Sequence, residues 1–344
     1  MISLGGSLCC PPTPVSATSY GSAALAPLVE QEPARWARSS VQCEVMNRPV
    51  DFGPQYPGDG DFKARARLHQ SRFRVESLGL LDFADYGSRL AEPDALAGYN
   101  FYRPWAGMFA AVQSRYPLGY KKLYWDMLGS DHVPFNFFLP LRDEPELAGA
   151  LVSHLLGEPV TTTQIDVEWA PRPKEQYLGD STSFDVYIAY GTEKGAHGAV
   201  GVEVKYTEGE YGWGATERKQ LLDDGSLYNQ VHRKSGIYVD GAEAALRTKR
   251  LKQVWRNQLL GEAMLQHPTN ALARFTSVLL YPGGNGHFAG VASEYQQLLR
   301  ADARATHFVA LTYESFIAFF RAQRSSPKVS GWLDYLERRY IVAG

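Results

Sequence analysis

Three short runs in the middle of the chain change the hydrophobic period to two. "TQIDVEWA" sets Ile165, Val167 and Trp169 on one face. "SFDVYIAY" does the same with Phe184, Val186, Ile188 and Tyr190, and "AVGVEVKY" with Val200, Val202, Val204 and Tyr206. Such alternation specifies strands with one buried face, because successive side chains of a strand point to opposite sides. The glycine-rich "GTEKGAHG" joins the last two runs and reads as a hairpin. A one-residue slip would turn every apolar residue to the wrong face. Pairing Val186 with Val202, Ile188 with Val200 and Phe184 with Val204 gives each an apolar partner.

That register sets Asp185 directly opposite Glu203, with Lys205 two residues further on the same face. Facing carboxylates repel unless a cation lies between them. Ala189, Ala199 and Gly201, the neighbours toward the turn, are small and would leave room. A hard divalent cation such as Mg²⁺ takes carboxylate oxygens and keeps some of its waters. The plainer reading makes Glu203 and Lys205 a solvated face and Asp185 a strand-start residue. Glu-x-Lys alone fits that reading. The three residues in register across a hairpin, with matched apolar faces, favour a site.

The flanks frame a sheet. "DFKARARLHQSRFRVESLGL", "YRPWAGMFAAVQSRY" and "EPELAGALVSHLLG" read as helices, the third with Pro145 near its first turn and Gly157 after its end. After a polar insertion (about 208–244) comes a long helix, "ALRTKRLKQVWRNQLLGEAML". Strands follow at 275–282 and 307–313, then a helix capped by Thr312. The order predicts an α/β (α+β) fold with a central mixed sheet flanked by helices and a helical N-terminal part. Residues 1–60, rich in Pro, Ser, Gly and Ala, read as disordered, which leaves 61–344 as the folded domain. Met46 is an alternative translation start.

With 35 basic and 37 acidic residues, the net charge is −2, so a nucleic-acid or anionic-membrane partner would have to bind a local patch. Cys9, Cys10 and Cys43 lack the spacing of a zinc site and fit a reducing cytoplasm. The apolar run of about 18 residues that a membrane span needs is missing, and the N-terminus lacks the pattern of a signal peptide.

Asp185, then Glu203-x-Lys205, on a hairpin followed by a helix, resembles the PD-(D/E)xK nuclease superfamily of restriction endonucleases and repair nucleases. "FNFFLPL" (135–141), "VEWAPRP" (167–173) and "WRNQLLGE" (255–262) extend the resemblance, patchily over 60–320, toward a subgroup of restriction-endonuclease-like proteins. Phe184 stands where the superfamily's name has proline.

The resemblance implies a restriction-endonuclease-like core and Mg²⁺- or Mn²⁺-dependent hydrolysis of phosphodiester bonds, most of all in DNA. Asp185, Glu203 and the carbonyl of Val204 would hold the metal, and Lys205 would orient the attacking water. Glu168 matches an acid of the subgroup. Two-strand cleavage would favour a homodimer. The rival is a non-catalytic nucleic-acid-binding or scaffold protein on the same fold.

Some further residues carry two readings each. Glu146 is either an exposed helix acid or a further acid near the metal. Gln258 shares a helical stripe with Leu251, Val254, Trp255 and Glu262, so its amide needs either a structural partner or a place in the site. Arg247, Lys249, Arg250, Lys252 and Arg256 form either a solvated face or a phosphate track, and "FKARARLHQSRFR" (62–74) has the same two readings.

Overall fold

Five strands pair side by side in chain order: β1 (Val160–Trp169), β2 (Phe184–Thr192), β3 (His197–Val204), β4 (Leu272–Tyr281) and β5 (Phe308–Thr312). The computed structural model describes residues 50–210, 212–269, 271–324 and 326–343. Most of the segment read as disordered, Met46 included, lies outside them. Residues 50–60 contain neither helix nor strand, and Asp59 among them accepts hydrogen bonds from the Arg67 guanidinium.

The hairpin has the expected register, with Val186 opposite Val202, Ile188 opposite Val200 and Ala189 opposite Ala199. β1 joins β2 antiparallel, while β3–β4 and β4–β5 are parallel. Parallel neighbours need crossovers, usually helical. Before the sheet stand α1 (Asp61–Arg72), α2 (Val133–Phe138) and α3 (Pro145–Leu156). The first crossover carries α4 (Ala215–Leu222), α5 (Leu227–Ser235) and α6 (Lys252–Gln266). The second carries α7 (Gly286–Leu298), where strand had been expected to follow strand directly. Two helices close the chain, α8 (Tyr313–Arg321) and α9 (Pro327–Tyr340).

Local chemistry sets several of these ends. Pro145 opens α3, where its missing N–H costs nothing, and Gly157 ends it at φ 70°. The Thr312 side chain accepts from Ser315 N and caps α8. The helix expected from 245 breaks instead at Arg247, so only Glu243–Leu246 and then α6 are helical there.

Each face of the sheet has its own core. Val186, Ile188, Val200, Val202 and Val204 pack against the N-terminal helices, α8 and α9. Arg339 of α9, fully buried, donates to the Asn100 carbonyl at 2.8 Å and also to the Asn100 side chain and the Tyr335 hydroxyl. On the other face Tyr187, Ala199, Phe275 and Leu279 meet Trp255 and Leu259 of α6 and Val291 of α7.

Phe184 belongs to this second core and not, as expected, to the face of Val186. Its ring centroid lies 5.3 Å from that of Phe275. Gly201, one of the small residues that were to clear a site, makes room for these rings instead. A Cβ on Gly201 would lie 2.5 Å from Phe184 and 2.7 Å from Phe275, and one on Gly261 of α6 would lie 2.0 Å from Phe275. The two glycines thus set how closely α6 approaches β3 and β4. Gly261→Ala should lower stability by about 1–2 kcal/mol in urea unfolding. The overpacking outweighs the roughly 1 kcal/mol that alanine brings to a helix.

Candidate active site

The carboxylates gather where the hairpin ladder stops. The last β2–β3 pair is Val186 with Val202, one residue short of Asp185 and Glu203. Beyond it the Asp185 carboxylate takes over from the backbone and accepts from Val204 N at 2.6 Å. Across β1, Glu168 and Asp185 lie between the pairs Val167–Val186 and Trp169–Phe184. Glu168 has φ 56°, the left-handed conformation that non-glycine residues seldom adopt. Its bend departs from strand alternation, and Glu168 lines a concavity with Asp166, Arg115 and Arg142. Asp166 pairs with Arg142 at 2.9 Å.

The buried Glu203 and Lys205 close the group, with Lys205 Nζ 2.6 Å from Glu203 Oε1. The backbone beyond is pinned. Lys205 N donates to Leu280 O at 2.9 Å, Tyr313 OH donates to Lys205 O at 2.7 Å, and Asn285 donates to Tyr206 O at 2.9 Å. Lys205 is therefore fixed by its neighbours on β4, α8 and the loop before α7.

Burial raises Asp185 well above the usual carboxylate range, and the charges of Glu203 and Glu168 push it further. Glu168 is raised to about 6, first by burial, then by Asp131, with Tyr116 and Arg115 opposing. Burial would lower the Lys205 ammonium, but Glu203 and Asp185 outweigh it and hold the group charged above its ordinary range.

As the side chains stand, no three His, Cys, Asp or Glu among the described residues come close enough to hold a metal, since Asp185 turns to Val204 N and Glu203 to Lys205. The donor set nevertheless fits a hard divalent cation. All the donors are oxygen, and the repulsion that raises Asp185 is the kind a cation removes. Asp185 and Glu203 open into a cavity of 190 Å³ shared with Thr182, Gln253, Arg256 and Asn257.

A family model described as the PD-(D/E)XK nuclease superfamily matches residues 57–342. The chain belongs to that superfamily. The match does not reach the subgroup suggested by the flanking motifs. No curated protein and no solved structure is similar enough to be matched. The five-stranded mixed sheet with flanking helices is a restriction-endonuclease-like α/β fold. Among the described residues no helix is long and apolar enough to cross a membrane.

Within this PD-(D/E)XK fold, α6 sends a different amide to the carboxylates than expected. Gln258 is fully buried and donates to Glu262 of its own helix at 2.8 Å, away from the cavity. Asn257 faces the site, its Nδ2 3.4 Å from Glu203 Oε2 and its Oδ1 accepting from Ser277 Oγ at 3.0 Å. Gly261, four residues on, was the available signal. A glycine inside a helix marks a close approach, and Asn257 lies on that side of the helix. Glu146 is exposed in the first turn of α3.

The basic run does not form a free track. Lys252 is buried and reaches Glu217 at 3.2 Å, and Arg256 binds both Glu217 and Asp180. Arg250 pairs with Glu294 at 2.7 Å, and Arg247 donates to Asn229 at 2.7 Å. Lys249 is exposed. In the other basic segment Arg67 binds Asp59, and the buried Arg74 donates to the carbonyls of Gly87 and Leu80. These acids and carbonyls lie far from most of the cations in sequence, where a local scan does not look. The one cation of the run that lines the carboxylate cavity is Arg256. Asp180 holds it there and binds Thr182 and Tyr228 as well.

Glu262 supplies a pH test of this packing. Burial raises it to about 7, although the Gln258 hydrogen bond lowers it. The native state therefore keeps a proton that the unfolded chain releases near the ordinary glutamate value of 4.5, so stability falls as pH rises from there through about 7. Glu262→Gln removes this loss and can donate to Gln258 Oε1, which lacks a partner. Its gain over wild type should be absent at pH 4 and grow to about 3 kcal/mol by pH 8, read from urea unfolding at several pH values.

Proposed function

We propose that this chain is a metal-dependent nuclease that hydrolyses phosphodiester bonds, with DNA as its substrate. The observation behind the reading is that Asp185 and Glu203 open into one cavity, with Lys205 charged beside Glu203 and Glu168 near enough to raise Asp185. Asp185, Glu203 and the Val204 carbonyl would hold Mg²⁺ or Mn²⁺, with Glu168 on the same side. A divalent cation bound there supplies positive charge to the phosphate and eases deprotonation of a water.

The protein's own groups do the rest. Lys205, kept protonated by its neighbours, orients the attacking water and stabilises charge developing on the phosphate; its raised pKa speaks against a role as general base. Asn257 donates to one oxygen of Glu203 and leaves the other to Lys205. Arg256 lines the same cavity, its guanidinium held by Asp180, Glu217 and Thr182.

The test is cleavage of mixed DNA substrates in Mg²⁺ or Mn²⁺. Wild type should cut, EDTA should stop it, and Lys205→Ala and Asp185→Asn should each lower the rate by about 10²-fold or more. Activity that survives either substitution would locate the chemistry elsewhere. No cleavage, together with no Mg²⁺ uptake by calorimetry, would make the chain a non-catalytic relative.

A further inference from the structure

A second concavity lies on the side of α4 turned away from the carboxylates. It is an open groove of 660 Å³ lined by Trp213, Ala215, Arg218, Lys219, Leu222 and Asp223. Ala215, Arg218, Lys219 and Leu222 recur at helical spacing and share one face of α4. Leu222 is 81 % exposed, the most of the exposed large hydrophobic residues among those described.

Trp213 is held in place rather than loose. Its Nε1 donates to Arg247 O at 3.1 Å, and the Lys252 ammonium lies 4.7 Å from its ring centroid. Arg218 and Lys219 are exposed, and among the described residues neither forms a salt bridge, unlike Arg250, Lys252 and Arg256 nearby.

The same helix reaches the carboxylate cavity. Glu217, on the opposite face of α4, grips Arg256, which lines that cavity with Asp185 and Glu203. Leu222 is only about 7.5 Å further along the helix axis than Glu217. One helix, α4, thus separates the groove from the carboxylate cavity.

We propose that this groove binds an unpaired nucleotide of the nucleic-acid substrate, its base against Trp213 and Leu222 and its phosphate against Arg218 and Lys219. A planar apolar face flanked by uncommitted cations suits a base and its phosphate. An aromatic platform takes any base, because every base has a π-face. Asp223, the one acid of the lining, is engaged by Gly225 N, which leaves the two cations for a phosphate. The inference rests on the nuclease reading above and adds the strand form that the protein prefers.

The test is fluorescence anisotropy with a labelled single-stranded oligonucleotide and a blunt duplex of the same length. EDTA is present so that nothing is cut, and cleavage by the same preparations is measured separately in Mg²⁺. Trp213→Ala and the double variant Arg218→Glu/Lys219→Glu should each weaken single-strand binding roughly tenfold and duplex binding less, while Trp213→Phe keeps most of the affinity. The charge reversals are at exposed positions, so they test the groove even if Trp213→Ala disturbs folding. Wild-type affinity in the charge-reversal variant, or equal losses for both substrates, overturns the inference. So does a dimer in solution that Leu222→Asp splits. If wild type cleaves while the groove variants bind normally, only the groove is refuted. If wild type neither binds nor cleaves, the nuclease reading falls and takes the groove with it.

Discussion

Carboxylates sharing a buried corner repel one another, and Glu168, Asp185 and Glu203 share one at the edge of the hairpin ladder. The surrounding structure is arranged to tolerate this. Asp185 is tied to Val204 N, Glu203 is held by Lys205 and Asn257, and Lys205 is fixed through β4 and α8. Each tie uses a donor. The result is an oxygen-rich corner whose remaining repulsion a divalent cation can remove.

α6 is the second support. It comes close to the sheet because Gly261 and Gly201 leave space around Phe275, and at that distance Asn257 reaches Glu203 while Arg256 reaches the cavity. The buried salt bridges of Lys252 and Arg256 with Glu217 and Asp180 then tie α4 and the loop before β2 to the same helix. Truncating one partner of such a pair costs more than the pair itself contributes, because the other charge stays buried. The cations that read as a phosphate track are therefore mostly internal fasteners.

How much of this the sequence showed depends on the kind of signal. The hairpin register was legible because Val186, Ile188, Val200 and Val202 leave one apolar solution, and Asp185 and Glu203 came with it. Lys205 followed from strand periodicity. Glu168 was only half legible: its left-handed backbone has no mark in the residues around it. Gln258 stood out because an amide on the stripe through Trp255 needs a partner, which Glu262 on that stripe supplies; Asn257 lies off the stripe, on the side marked by Gly261. The acids that neutralise the basic run come from elsewhere in the chain. α7 was in fact readable, since Phe288, Val291, Ala292 and Tyr295 recur at helical spacing and two parallel strands require a crossover.

The connectivity also favours an order of assembly. β1, β2 and β3 are neighbours in sequence, so their antiparallel pairing closes short loops, whereas β4 and α6 must wait for a crossover that begins after β3. Short closures are entropically cheap and fast; long ones are slower. The three carboxylates can thus be brought together early by a local meander, before Asn257 or the Leu280 carbonyl is in place. Lys205, two residues after Glu203 and paired with it, is a counter-charge that arrives with them. Its place in the chain makes it the charge balance of the nascent meander as well as of the finished site.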